Sequence, residues 1–380
     1  MKVVAGLLLA AALSAALLWI TPPENAYNAP FLLAQQLLEG RTYLPSFLPW
    51  LEMFRHDGRD YICYPPMVSF VLVPFVWATQ GGLTQPYINT ALILGSAFLL
   101  YLLVRRLPGV EKLAWVAALA YAIGTPMLYS AASGDVWLLM HSEGNFFLLL
   151  ALLLAIRHPV VAGFCFMVAA QSRYAISIAS IAFGLAFLDA APRGARLRGA
   201  IRTGLWFTLG ALPPLLAVLW FQWATLGDPF FPPYEAAWRE YGLRVPRFGT
   251  QYFWGNLPVY TYQMPRLLPE FPWLRFYGGG QSIFAMSPFF LGIFLADVRR
   301  TWVLAFLAGS LPMVGFYLLY FWSGSAQYGA RYMQDLYPLL IPVALSAFAR
   351  PGRGWRVALW LLLGLSIAIN VYGLFVTRFL

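Results

Sequence analysis

Apolar runs close to the length that crosses a bilayer, roughly 20 residues, recur along this 380-residue chain. They occupy 3–20, 87–104, 112–131, 143–156, 159–171, 175–189, 203–222, 283–296, 301–321, 333–349 and 355–376. Few folds remain open to such a chain. Backbone in hydrocarbon must satisfy its own polar groups, and a helix does so within one segment. Composition agrees: 61% of the residues are hydrophobic and 11% charged, against about 25% charged in soluble domains. The expected fold is all-α, a polytopic integral membrane protein of about eleven transmembrane helices forming one domain over 1–380. Lys2 and the run Val3 to Ile20 resemble a signal peptide, but no small-x-small site closes the run, so it reads as a retained first helix.

A net charge of +10 would suggest nucleic acid in a soluble protein. Here the arginines cluster in short loops between apolar runs, which is a topology signal, and no nucleic-acid partner is expected. Whether the run 66–80 crosses decides the sidedness of everything after it. If it does not, one face collects fourteen basic residues: Lys2, Arg105, Arg106, Lys112, Arg157, Arg193, Arg196, Arg198, Arg202, Arg299, Arg300, Arg350, Arg353 and Arg356. Only Glu111, Asp189 and Asp297 oppose them there, giving +11, while the other face sums to −1. If 66–80 crossed, the Arg193–Arg202 cluster would face outward, against the positive-inside rule. The expectation is therefore an inner-membrane protein with its amino terminus inside, its carboxyl terminus outside, and 66–80 lying along or dipping into the outer interface.

That assignment gathers the polar oddities on the outer side. The first loop, 21–86, holds Glu24, Glu39, Glu52, Asp57 and Asp60, five of the fifteen acids. Acids beside a bilayer are costly unless something uses or solvates them. Within this loop, Asn28 to Gly40 mixes Phe31, Leu32, Leu37 and Leu38 with Gln35, Gln36 and Glu39, which predicts an amphipathic surface helix ended by Gly40. The second large loop, 224–282, is dense in proline and aromatic residues and reads as an interfacial belt or a lid. The runs 143–156, 159–171 and 175–189 are short for a bilayer of about 30 Å, and short helices leave a wet recess where polar groups can sit.

Each outer constellation carries a functional and a structural reading. Glu24, just after the first run, can act as a general base on an acceptor hydroxyl or stand as a solvated helix-end acid. Asp57 and Asp60 flank Gly58-Arg59 as substrate-side acids, a weak divalent-cation site, or simply a solvated turn. Asp135, His141 and Glu143 suit a proton relay, acceptor orientation or a capped loop. His141 and Glu143, two apart, do not share a helix face, so no metal site is assigned. Arg173, in Gln171-Ser172-Arg173-Tyr174, needs an anion: a phosphate, which its fork of donors fits, or a carboxylate such as Asp135. Arg331 can pair with Asp335 four residues on or meet a lipid-linked phosphate. Gln281 and Ser282 follow three glycines and offer donors. Cys63 and Cys165 fit no metal spacing or disulfide framework.

The order of these pieces resembles the GT-C superfamily of membrane glycosyltransferases, in the bacterial branch near protein mannosyltransferases and aminoarabinose transferase (glycosyltransferase family 39). Glu24-Asn25-Ala26-Tyr27 followed by Leu37-Leu38-Glu39-Gly40 is similar to that branch's Asp-Glu-x-Tyr and Leu-Leu-x-Gly pattern. Tyr64-Pro65-Pro66, Ser287-Pro288 and Gly329-Ala330-Arg331-Tyr332 look like its Pro-Pro, Ser-Pro and Gly-x-Arg-Tyr elements. The resemblance implies a sugar donor on a polyprenyl phosphate, an acceptor (lipid, glycan or protein) arriving from outside, and inversion at the anomeric carbon. It puts Glu24 at the family's catalytic aspartate, with Asn25 in place of the usual glutamate, and Tyr27, Tyr64 and Tyr332 beside the substrate. No organic cofactor is implied. The end at Leu380, without the soluble domain of some relatives, leaves a minimal transferase or one needing an unknown partner protein. A lipid or lipid-linked oligosaccharide translocase would need the same arginine-lined recess but no attacking base.

Overall fold

Among the described residues, five helices are long and apolar enough to cross a bilayer: Gln85–Val104, Val136–Leu154, Arg193–Leu226, Thr301–Leu318 and Arg353–Arg378. A bent pair, Glu111–Ala122 with Met127–Ser133, makes a sixth if taken as one broken span. The computed structural model describes residues 2–276, 278–324, 327–349 and 352–379. Arg350, one of the fourteen inner basic residues, lies outside them, as does the side chain of Lys2. In chain order the first helices are α1 (Lys2–Ile20), α2 (Ala29–Leu38), α3 (Pro66–Thr79), α4 (Gln85–Val104), α5 (Ala114–Ala122) and α6 (Met127–Ser133). Next come α7 (Val136–Leu154), α8 (Pro159–Ser172), α9 (Ser180–Ala190), α10 (Arg196–Leu226) and α11 (Pro233–Glu240). The last are α12 (Phe253–Thr261), α13 (Ile283–Met286), α14 (Thr301–Leu318), α15 (Tyr337–Phe348) and α16 (Arg353–Phe379).

The chain is thus mostly helical, but the described residues hold five or six spans, not the expected eleven. Hydropathy counts apolar side chains and is blind to backbone breaks. The run 112–131 is bent by 46° between α5 and α6, where Gly124-Thr125-Pro126 interrupts the helix. The runs 159–171 and 175–189 become helices of 14 and 11 residues, parted by an extended Arg173 and a 3₁₀ segment, Tyr174–Ala179. The run 283–296 is a four-residue helix followed by 3₁₀ structure at Pro288–Leu295. The run 333–349 starts as 3₁₀ and leaves a 12-residue α15. In the opposite direction, 143–156 extends back to Val136, so His141-Ser142-Glu143 lies inside a 19-residue helix instead of bounding its mouth.

The first loop is built, not slack. Its helix α2 runs over the expected segment and Gly40 leaves it at φ +76°, where glycine is cheapest. Two strands the sequence reading did not foresee, β1 (Met53–His56) and β2 (Arg59–Ile62), pair antiparallel about Asp57-Gly58. Both turn residues have positive φ, 48° and 73°, as a two-residue hairpin demands. Phe31, Leu33, Met53, Phe54, Tyr61, Cys63 and Tyr64 form a hydrophobic cluster with Leu72 and Val76 of α3, Ile88 of α4 and Val136 of α7. This cap fixes the hairpin over one end of the bundle. Elsewhere close packing depends on glycine: a Cβ on Gly163 of α8 would collide with Phe207 O, and one on Gly210 of α10 with Val160 O. Small residues let helix backbones approach in this way.

Hydrogen bonds distinguish the two ends of the bundle. At one end Arg106 donates to Leu153 O (3.0 Å), Thr301 to Asp189 (2.9 Å) and Arg300 to Pro108 O. At the other, Gln85 donates to Gly134 O (2.9 Å), Val136 N to Tyr27 O (2.9 Å) and Arg378 to Ala132 O (2.8 Å). Both ends of α3 return to the second group: Tyr64 packs on Tyr234, and Thr84 donates to Pro23 O (2.5 Å). At 14 residues, α3 is also short of a span. With Cys63→Ser and Cys165→Ala as background, a single cysteine placed at Thr250 is expected to label with a membrane-impermeant maleimide on intact cells. One placed at Arg196 is expected to label only after lysis. Both positions are exposed, so labelling at 196 on intact cells would invert the topology.

Candidate functional site

The break after α8 is what builds the site. Arg173 ends that helix with φ −141° and ψ 99°, and this extended step turns its side chain into the bundle. Gly144 of α7 gives it room: a Cβ there would lie 3.3 Å from Arg173 Cγ. Inside, Arg173 Nε donates to Asp335 Oδ2 at 3.1 Å. His141 Nδ1 lies 2.5 Å from Asp335 Oδ1, and the Tyr317 hydroxyl donates to Asp335 Oδ2. Asp335 and His141 are fully buried. One carboxylate therefore organises an arginine, a histidine and a tyrosine from α8, α7 and α14. Each is needed, since a buried carboxylate is tolerated only when its lone pairs are taken up.

A second layer covers this core. Tyr332 stacks on Tyr317 at 5.2 Å, 7° from parallel. The guanidinium groups of both Arg173 and Arg331 lie 5.3 Å from the Tyr332 ring centre, and Arg331 also lies 5.6 Å from the Trp137 ring. Asn145 donates to Gln334 O (3.0 Å) and Ser130 to Gln334 Oε1 (3.2 Å), holding the 3₁₀ turn Arg331–Leu336 in place. Gln281 is buried and accepts from Gly329 N (3.1 Å), while Gln327 accepts from Arg331 N (3.1 Å). Gln281 thus braces the turn that carries Arg331.

Two pairings that stood open as alternatives take another form. Arg173 pairs with Asp335, not Asp135. Asp335 turns to Arg173, His141 and Tyr317, not to Arg331, because residues 331–336 are 3₁₀ and a position four on no longer sits one turn above. Asp135 is the N-cap of α7, accepting from Leu138 N (2.9 Å) and Ser133 Oγ (2.6 Å); burial raises its carboxyl above the ordinary range. Glu143 accepts from Ser172 Oγ, and its other oxygen is buried without a hydrogen-bond partner, as is His141 Nε2. Ser282 caps α13 through its hydroxyl and donates to Thr261 O (2.7 Å).

The first-loop residues divide. Glu24 is exposed and lines a cleft of about 250 Å³ with Asn25, Asn28, Gln35, Thr84 and Gln85, which includes none of the arginines above. Tyr27 lies 4.9 Å from Trp137 and so borders the Arg331 layer. Asp57 is at the exposed hairpin tip, and Asp60 pairs with Arg55 at 3.2 Å. Tyr64 is buried, and its ring meets Tyr234 edge-on at 6.3 Å. Among the described residues no group of three His, Cys, Asp or Glu side chains stands close enough to hold a metal ion.

Tyr317 and Arg247 carried no signal of their own in the sequence. Arg247 lies over Trp238 (5.1 Å) and Tyr234 (5.9 Å) and pairs with Glu235 at 3.2 Å. Only the aromatic density of 224–282 hinted at it. Compared with known proteins, the chain matches no protein-family model and no curated protein.

Proposed function

We propose that the chain is a membrane glycosyltransferase that moves a sugar from a polyprenyl-phosphate donor to an acceptor at the extracytoplasmic face. The observation that carries this reading is the convergence of Arg173 and Arg331 on the Tyr332 ring. Asp335 already pairs with Arg173, and Arg331 brings a second positive charge to the same ring, which favours a further anion beside it. Arginine forks suit phosphate oxygens, and the charge that builds on a departing phosphate is what such donors stabilise in a transition state. Of the elements that suggested the GT-C resemblance, Gly-x-Arg-Tyr supplies Arg331 and Tyr332 here, and Tyr64 of Tyr-Pro-Pro meets Tyr234. The sidedness argued from charge puts it on the outer face. Glu24, where the resemblance places the base, faces a different cleft, so the reading leans on the arginines.

Purified protein in liposomes, given undecaprenyl phosphomannose labelled in the sugar and a membrane extract as acceptor, is expected to move label out of the donor. A protein that carries a fluorescent polyprenyl phosphate across the bilayer and never cleaves the sugar bond would instead be a translocase, and the transferase reading would fall.

A further inference from the structure

Of the five first-loop acids, four are paired with arginine or exposed. Glu39 pairs with Arg41, Asp60 with Arg55, Asp57 stands exposed at the hairpin tip, and Glu24 opens on its own cleft. Glu52 differs. It leaves the 3₁₀ turn Pro49–Leu51 at φ 49° and ψ 62°, a left-handed conformation that is uncommon and strained for a side chain of this kind. Its neighbours Leu51 and Met53 are both fully buried, and Cys63 N donates to its carbonyl at 3.2 Å. The backbone is therefore fixed from both sides, and the carboxylate is carried to Cys63, whose Sγ lies 3.8 Å from Oε2.

Buried polar groups gather around that carboxylate. The Tyr64 hydroxyl is buried and faces Glu52. Arg247 pairs through Nε with Glu235 at 3.2 Å, and its Nη2 is buried without a hydrogen bond. Rings then connect this pocket with the phosphate arginines. Tyr64 meets Tyr234, on which Arg247 lies; Phe248, next in the chain, packs on Tyr320 at 5.4 Å; Tyr320 packs on Tyr332 at 5.8 Å. Burial and then the Glu52 charge hold the Cys63 thiol and the Tyr64 hydroxyl up. The Tyr234 hydroxyl is raised by burial and by the charges of Cys63 and Glu52, and drawn down by Arg173.

We propose that Glu52 is the base of this site: a carboxylate held in strained backbone beside Cys63 and Tyr64, facing the acceptor. The proposal rests on the transferase reading. As the acceptor oxygen bonds to the anomeric carbon, its proton passes to a Glu52 oxygen. The bond from that carbon to the phosphate oxygen breaks, and its electron pair leaves on the polyprenyl phosphate beside Arg173 and Arg331. A general base contributes about 10²–10⁴ in rate.

The strain supplies a test that a purely structural role would fail. Glycine adopts positive φ without penalty, so Glu52→Gly is expected to melt at or above the parent temperature yet lose at least a hundredfold of label transfer from undecaprenyl phosphomannose. Glu52→Gln is expected to lose as much while retaining donor binding within a few-fold, and Glu52→Asp to keep part of the rate. Either of the first two variants transferring within a few-fold of the parent overturns the assignment. Should the glycine variant melt well below the parent, the carboxylate is holding the loop together and the assignment is equally overturned. A parent that transfers no label overturns both the role of Glu52 and the reading beneath it, which separates the two failures.

Discussion

Replacing Asp335 with asparagine is expected to cost the folded protein about 3–5 kcal/mol, the usual penalty for stranding one member of a buried ion pair. The carboxylate answers Arg173, His141 and Tyr317 at once. The amide keeps one acceptor oxygen but puts an NH₂ against a donor and removes the charge that stabilises a buried guanidinium. The loss should appear as a sharply lower melting temperature in detergent. Arg331→Gln leaves that carboxylate and its three partners in place and should melt much closer to the parent. Equal losses for the two variants would contradict this, since they are what an Arg331–Asp335 pair would give.

The second large effect is expected at Arg331 and concerns binding. If its guanidinium holds the donor phosphate, Arg331→Lys keeps the charge and loses the planar fork. Hydrogen bonds to charged groups contribute about 1.5–3 kcal/mol, so polyprenyl phosphate should bind roughly 10- to 100-fold more weakly. Arg331→Ala should lose more, because it also vacates the space beside Trp137 and Tyr332. Arg173 is the less clean probe: its loss strands Asp335, so binding and folding would fall together. Unchanged affinity in Arg331→Lys would leave the arginine a packing group for the two rings.

What the sequence disclosed follows from the range of each interaction. The amphipathic helix α2 and its glycine stop were readable because both signals lie within thirteen residues, Asn28 to Gly40. The Asp57-Gly58 turn was visible, but its hairpin was read only as a solvated loop. The strands it joins are four residues each, and their burial runs in adjacent pairs without alternating, so the period-two signal of a strand is missing. Span counting failed where the fold needs irregular backbone. Arg173 enters the core only because α8 stops, and Arg331 and Asp335 diverge only because their turn is 3₁₀. An apolar run looks the same whether its backbone is α-helical or not.

Arg173, His141, Glu143, Arg331 and Tyr332 were singled out one by one, yet their partners were not. His141 and Asp335 are 194 residues apart, and Arg173 and Asp335 162. No local periodicity specifies a meeting of three helices. Glu52 was passed over for a related reason: its side chain is ordinary for a surface loop, and its distinction lies in a backbone angle and a buried thiol eleven residues later.

If the arginines around Tyr332 receive a lipid-linked phosphate, binding must depend on the phosphate itself. Native mass spectrometry of the detergent-released protein, titrated in parallel with undecaprenyl phosphate and with undecaprenol, isolates the phosphate as the only difference between ligands. The account predicts a saturable adduct with undecaprenyl phosphate, a far weaker one with the alcohol, and loss of the difference in Arg331→Gln. Equal binding of phosphate and alcohol by the parent protein would contradict it.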